Sequence, residues 1–270
     1  MGRLENGKWI DQWHNTKETK GRYVRKPSIY RNWITKDGTA GPSGKDGFKA
    51  EKDRYHLYVS WACPWAHRTL IFRAIKGLED IISISVVNAI MRSHGWTFDD
   101  GQGVIADSVN NKKYLYEVYL KEDQNYSGRV TVPLLWDKKT STIVNNESAD
   151  IIRMFNSEFD DIGANPGNYY PEAKRTAIDD MNEYIYQNIN NGVYRSGFAT
   201  TQEAYNEAIE TLFLGLDKLD SILSHQKYLI GDEITESDWR LLPTLLRFDS
   251  VYHGHFKCCL LYTSDAADEG

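Results

Sequence analysis

The stretch RYHLYVSWACPWAHRTLIFRAIKGLEDIISISVV, residues 54–87, changes its hydrophobic period twice. Residues 55–59 alternate and are aromatic and β-branched, which suits a strand. From Pro64 onward, TLIFRAIKGL places apolar side chains at helical spacing and stops at Gly77. IISISVV is compact and β-branched, a second strand. A single cysteine, Cys63, therefore lies between the end of a strand and the start of a helix, with Pro64 directly behind it.

Working outward, residues up to about 50 are rich in Lys, Gly, Asp and Ser, and TKDGTAGPSGKDG is turn chemistry without periodicity. After a polar, aromatic insert, RVTVPLLWDKKTSTIVNNESADIIRMF gives a strand, a turn at Asp137-Lys138-Lys139, another strand and a helix beginning at Glu147-Ser148. Proline inside a strand normally demotes it, so Val132-Pro133 marks an edge or a cis bond. From about residue 170 the pattern is helical throughout: TAIDDMNEYIYQNI, TQEAYNEAIETLFLGLDKLDSILSH and SDWRLLPTLLRF. Thr235 and Asp238 fit a capping box, and Pro243 should kink the last helix. The expected organisation is an N-terminal arm over 1–50, an α/β domain over 51–160 and an all-helical domain over 170–258, followed by a tail over 259–270.

Composition narrows the function. The 270 residues carry 38 Asp+Glu against 32 Lys+Arg with no basic block, which is no footprint for a nucleic-acid binder. The N-terminus lacks the apolar core of a secretory signal, and Asn6 stands where a myristoylation start needs Ser or Thr. No apolar run approaches the roughly 20 residues that span a bilayer, so no membrane is expected and the chain reads as cytoplasmic. Three cysteines, Cys63, Cys258 and Cys259, are too few and too badly placed for a disulfide framework or a thiolate metal site.

Position makes Cys63 interesting. A thiol at a helix N-terminus meets unpaired N–H groups and the positive end of the macrodipole, which favour the thiolate. Pro64 at the first helical position removes an N–H that would have been orphaned anyway. The helix is not sufficient by itself. Lowering a thiol from about 8.5 to about 6 takes roughly 3.4 kcal/mol, whereas a helix terminus supplies about 0.3–2 kcal/mol. A packed hydrophobe and a reagent are both open on this grammar alone.

The segments RYHLYVSWACPWAHR, GW at 95–96, GRVTVPLLWD, IVNNES, GVYRSGFA and RFDSVYHGHFKC together resemble the xi-class glutathione transferases, the glutathionyl-hydroquinone reductases. The resemblance runs from about residue 20 to 258. It implies an α/β thioredoxin-like N-terminal domain plus an all-α C-terminal domain, the glutathione transferase architecture. It also implies a homodimer that reductively removes glutathione from glutathionyl-hydroquinones with glutathione as co-substrate, Cys63 passing through a mixed disulfide. From Cys259, CLLYTSDAADEG departs from the family and resembles the in-frame translation of a sequencing-library adaptor. That tail is expected to be non-native and the helical domain to be truncated.

Residue by residue, the resemblance makes Cys63 the nucleophile, Tyr194 the acid/base and Tyr252 a tyrosine that helps to acidify the thiol. A second such tyrosine of the family would lie beyond residue 258. Glutathione offers two carboxylates and an extended peptide backbone, which call for a free backbone edge and a helix N-terminus. The residues at 130–132 (Val130, Thr131, Val132) offer the edge. Glu147 and Ser148 offer a carboxylate for the ligand ammonium and donors for its carboxylate. Trp96, through its indole, and Arg129, through its charge, match further glutathione-contacting positions of the family.

Bland readings stand beside these. Glu147-Ser148 could be ordinary caps, Trp96 one of eight packing tryptophans, Arg129 a solvated charge and Tyr194 a helix-packing aromatic among 17 tyrosines. His67 and His253 are read as structural, because a thiolate needs no histidine base. The alternatives are a broad omega-like thioltransferase or dehydroascorbate reductase, and a non-catalytic ligand-binding scaffold.

Overall fold

The computed structural model describes residues 2–42 and 44–260; the expected non-native tail lies, from residue 261 on, outside the described residues. The chain forms two compact units, one of Met1–Trp13 with Pro27–Asn168, the other of His14–Lys26 with the chain from Tyr169 onward. The segment up to residue 50 is thus shared between them, and its described residues include the short strands β1 (Arg3–Glu5), β2 (Lys8–Ile10), β3 (Trp33–Thr35) and β4 (Gly47–Lys49).

The first unit is built on β5 (Tyr55–Val59), α1 (Pro64–Ile75), β6 (Ser83–Val86), α2 (Leu115–Glu122), β7 (Gly128–Arg129), β8 (Leu134–Asp137), β9 (Thr142–Asn145) and α3 (Ser148–Ser157). Four of these strands form one sheet in the order β6-β5-β8-β9. β5 and β6 run parallel across α1, while β8 is antiparallel to both β5 and β9. Every residue of β5 is buried, as expected of a central strand covered on both faces. α1 packs with α3. The α1 helix ends where Gly77 takes φ +61, a left-handed stop that glycine adopts without strain. Beside it, Asn165 N–H donates to the Lys76 carbonyl at 2.8 Å and Asn165 Nδ2 to that of Ile75 at 3.3 Å, so the last turn is satisfied. α2 falls inside the segment read as a polar insert.

The second unit contains α4 (Arg175–Ile185), a π turn over Tyr186–Asn190, α5 (Gly192–Gly197), α6 (Gln202–Leu223), α7 (Glu236–Leu245) and a second π turn over Phe248–His253. Ile185, Ile189, Val193, Ile209, Leu212, Leu241 and Tyr252 form its core. The capping box is present: Asp238 Oδ2 accepts from the Thr235 N–H at 2.8 Å. Residues 14–26 belong to this unit through Arg22, which pairs with Glu203 and Glu207 on α6, and through the Thr16–Thr200 hydroxyl contact at 2.7 Å.

Candidate active site

Cys63 is the N-cap of α1, with extended backbone at φ −85, ψ 117. Its partly exposed sulfur accepts from the Ala66 N–H at 3.5 Å and lies 3.4 Å from the Val132 carbonyl, to which the thiol donates. Sulfur thus occupies the place where Ser, Thr or Asp usually caps a helix. The two contacts act in opposite directions: the Ala66 N–H stabilises negative charge on sulfur, whereas the Val132 carbonyl holds the proton. The Val132-Pro133 peptide is cis.

Val130 and Val132 are buried, and the Thr131 N–H and carbonyl are both held by the Tyr119 hydroxyl, at 3.3 and 3.0 Å. The second half of the expected cradle begins at α3. Glu147 is its N-cap: Oε1 accepts from the Ala149 N–H at 3.1 Å and Oε2 from the Ser28 hydroxyl at 3.0 Å. Ser148 follows at the first helical position, 2% exposed. Its hydroxyl has no hydrogen-bond partner among the described residues, and such a buried orphan asks for an explanation. Below it the helix start is braced by Asn145, whose Oδ1 accepts from the Glu147 N–H at 2.6 Å and whose Nδ2 donates to Asp150 at 3.1 Å. Asp150 is ion-paired with Arg31.

Trp96 is buried in the loop before α2, and its carbonyl accepts from the Leu115 N–H at 3.0 Å, at the start of that helix. Arg129 lies on β7, at the strand end next to the 130–132 segment. Its Nη1 donates to the carbonyls of Gln12 at 2.9 Å and Gly2 at 3.4 Å, tying β7 to the N-terminal strands.

Tyr194 and Tyr252 belong to the second unit. Their rings lie 6.2 Å apart, and both meet Phe256, at 5.4 and 5.1 Å. The Arg25 guanidinium sits 4.6 Å from the Tyr194 ring centroid and donates to Asn191 at 2.9 Å. Tyr252 is 1% exposed. Cys258 is fully buried, and burial pushes its thiol up to about 12, so it stays a protonated packing residue.

Among the residues that sequence reasoning missed, Arg31, Asn145, Asn146, Asp150 and Tyr119 build the walls behind Val132 and Glu147. The run NNES at a helix start was the one local signal for the asparagines, since Asn is a capping residue.

A β-α-β unit followed by a β-β-α unit, with cysteine capping the first helix against a cis-proline loop and an all-helical unit after it, is the glutathione transferase architecture. Residues 62–158 match the family model for the glutathione S-transferase N-terminal domain, and 202–268 the model for its C-terminal domain. The glutathionyl-hydroquinone reductase YqjG of Escherichia coli is 58% identical over 96% of this chain and 79% of its own. The glutathionyl-hydroquinone reductase PcpF of Sphingobium chlorophenolicum is 54% identical over 98% of this chain and 82% of its own. The glutathione-bound structure of the Escherichia coli protein superposes with a TM-score of 0.83 at 60% identity, covering 85% of this chain and 75% of that one. The chain belongs to the glutathionyl-hydroquinone reductases, the xi-class enzymes of the glutathione transferase family.

Proposed function

We propose that the protein removes glutathione reductively from glutathionyl-hydroquinones, using a second glutathione as reductant. The observation that carries the reading is the Cys63 sulfur at the N-terminus of α1, 3.4 Å from the Val132 carbonyl. A thiol placed there can be held as a thiolate and can meet a sulfur presented along the backbone edge at Val132. Ser148, with its buried hydroxyl, and Glu147 suit the γ-glutamyl carboxylate and ammonium.

The Cys63 thiolate attacks the glutathionyl sulfur of the bound thioether. The new S–S bond forms as the aryl C–S bond breaks, and the electron pair leaves with the ring carbon. Carbon is a poor leaving group. A hydroquinone can pass through its keto tautomer, which places that carbon α to a carbonyl and delocalises the departing charge. Tyr194 donates the proton, a neutral phenol being a usable acid in such a step. A second glutathione thiolate then attacks the mixed disulfide, releasing glutathione disulfide and the Cys63 thiolate. Net, a glutathionyl-hydroquinone and glutathione become hydroquinone and glutathione disulfide. A homodimer acting in the cytoplasm is part of the same reading.

Turnover of a glutathionyl-hydroquinone with glutathione should yield hydroquinone and glutathione disulfide in equal amounts, faster than a simple mixed disulfide is reduced. Faster reduction of the simple mixed disulfide would instead make the protein a broad thioltransferase, and no hydroquinone at all would make it a scaffold.

A further inference from the structure

Tyr119 is fully buried on α2, outside every group assigned above to chemistry or ligand. Its hydroxyl donates to the Thr131 carbonyl at 3.0 Å and accepts from the Thr131 N–H at 3.3 Å and from Asn146 Nδ2 at 3.3 Å. Thr131 immediately precedes Val132, and Asn146 immediately precedes Glu147. One hydroxyl therefore ties together the cis-proline loop and the start of α3, the two halves of the proposed glutathione cradle. Its neighbours hold the ring in place: Tyr126 lies 5.1 Å away and donates to the Arg129 carbonyl at 3.1 Å, and Tyr30 lies 6.1 Å away. Burial raises the Tyr119 phenol, so it remains a neutral donor throughout the working pH range.

We propose that Tyr119 is a positioning residue that sets the spacing between the Val132 edge and the Glu147-Ser148 helix start, and through that spacing the affinity for glutathione. The inference rests on the function proposed above. Groups that must hold a ligand are effective only when packing and hydrogen bonds behind them fix their geometry. The Thr131 and Asn146 groups would be left short of a partner if the hydroxyl were removed, and they would move to find one.

The test is Tyr119→Phe in the full chain, which removes the hydroxyl and keeps the ring. The dissociation constant for glutathione, read by titration calorimetry, should rise about tenfold, the equivalent of one lost hydrogen bond. The KM for glutathione should rise with it, while the rate of iodoacetamide labelling of Cys63 stays close to that of the parent. A merely structural role predicts a lower melting temperature with unchanged glutathione affinity, and that result would overturn the proposal. If Tyr119→Phe does not fold, Asn146→Ala keeps the Thr131 contacts and cuts the link to the start of α3, together with the Tyr30 N–H contact to Asn146 Oδ1 at 3.2 Å. Weaker glutathione binding by that variant is expected, and unchanged binding contradicts the inference. A parent chain that binds no glutathione overturns the function reading and this inference with it. A parent that binds, beside a variant that binds equally well, overturns this inference alone.

Discussion

Replacing Cys63 by serine separates the two roles the residue holds, capping a helix and carrying sulfur. In the native site Ala66 N–H reaches the sulfur at 3.5 Å and the thiol reaches the Val132 carbonyl at 3.4 Å. Both are long contacts made by a weak acceptor and a weak donor. A serine oxygen is a preferred N-cap group, contributing about 0.5–2 kcal/mol over alanine. Sulfur already supplies part of that, so Cys63→Ser should gain about 0.5–1 kcal/mol. For a unit of this size the gain is about 1–4 °C in Tm. Because Cys63 is only partly buried, exchanging sulfur for oxygen gives up little apolar burial. Turnover moves the other way: an alkoxyl cannot form the mixed disulfide, so activity should fall to that of Cys63→Ala. Scanning calorimetry beside the reductase assay reads both effects. A serine variant less stable than the parent refutes sulfur as a cap, and one that keeps its turnover refutes sulfur as the nucleophile.

Three further outcomes are expected. His56 is buried between Ser83 Oγ at 2.7 Å and Ser85 Oγ at 2.9 Å, and burial lowers its pKa to about 4, with Asp107 opposing. The unfolded chain therefore takes up the proton first: stability is full above about 6.5 and is lost as pH falls towards 4, by about 3 kcal/mol. His56→Gln should flatten the Tm profile across that window, and parallel slopes would count against the assignment. Tyr194→Phe should lower hydroquinone release by about 10²–10⁴-fold while leaving reduction of a preformed Cys63–glutathione disulfide near its parental rate; equal losses in both steps would exclude a proton donor specific to the carbon leaving group. Gly197→Ala would bring a Cβ within 2.3 Å of Phe256 Cδ1, so the ring cluster around Tyr194 must shift. Urea unfolding should report a loss of about 1–3 kcal/mol, and an unchanged midpoint would show that the helix end moves freely.

The parts legible in the sequence are those where local chemistry and tertiary demand agree. Residues 55–59 are β-branched and aromatic, and they form the central strand; Pro64 and Gly77 bracket a helix, and Thr235 with Asp238 caps another. α2 was missed because YLYEVYLKE carries three Tyr and one Val, which favour strands, and its buried face is only Leu115, Val118 and Tyr119. The two π turns escaped because one extra residue in a helical turn leaves the apolar spacing nearly intact. Arg129 could not be placed from its neighbours, since its carbonyl partners at Gly2 and Gln12 lie more than a hundred residues away in the chain. Tyr119 is equally silent, although its partners lie only 12 and 27 residues further on. A hydroxyl that joins Thr131 to Asn146 leaves no trace in the pattern around residue 119, because nothing local specifies its partners.

In the proposed reaction Cys63 takes glutathione from the substrate as a mixed disulfide. Intact mass of the full chain, mixed with a glutathionyl-hydroquinone in the absence of added glutathione, reads that step alone. The parent should carry one added glutathionyl group, released by dithiothreitol, accompanied by one hydroquinone and absent from Cys63→Ala. Hydroquinone release by the parent with no adduct, or by Cys63→Ala at the parental rate, would contradict it.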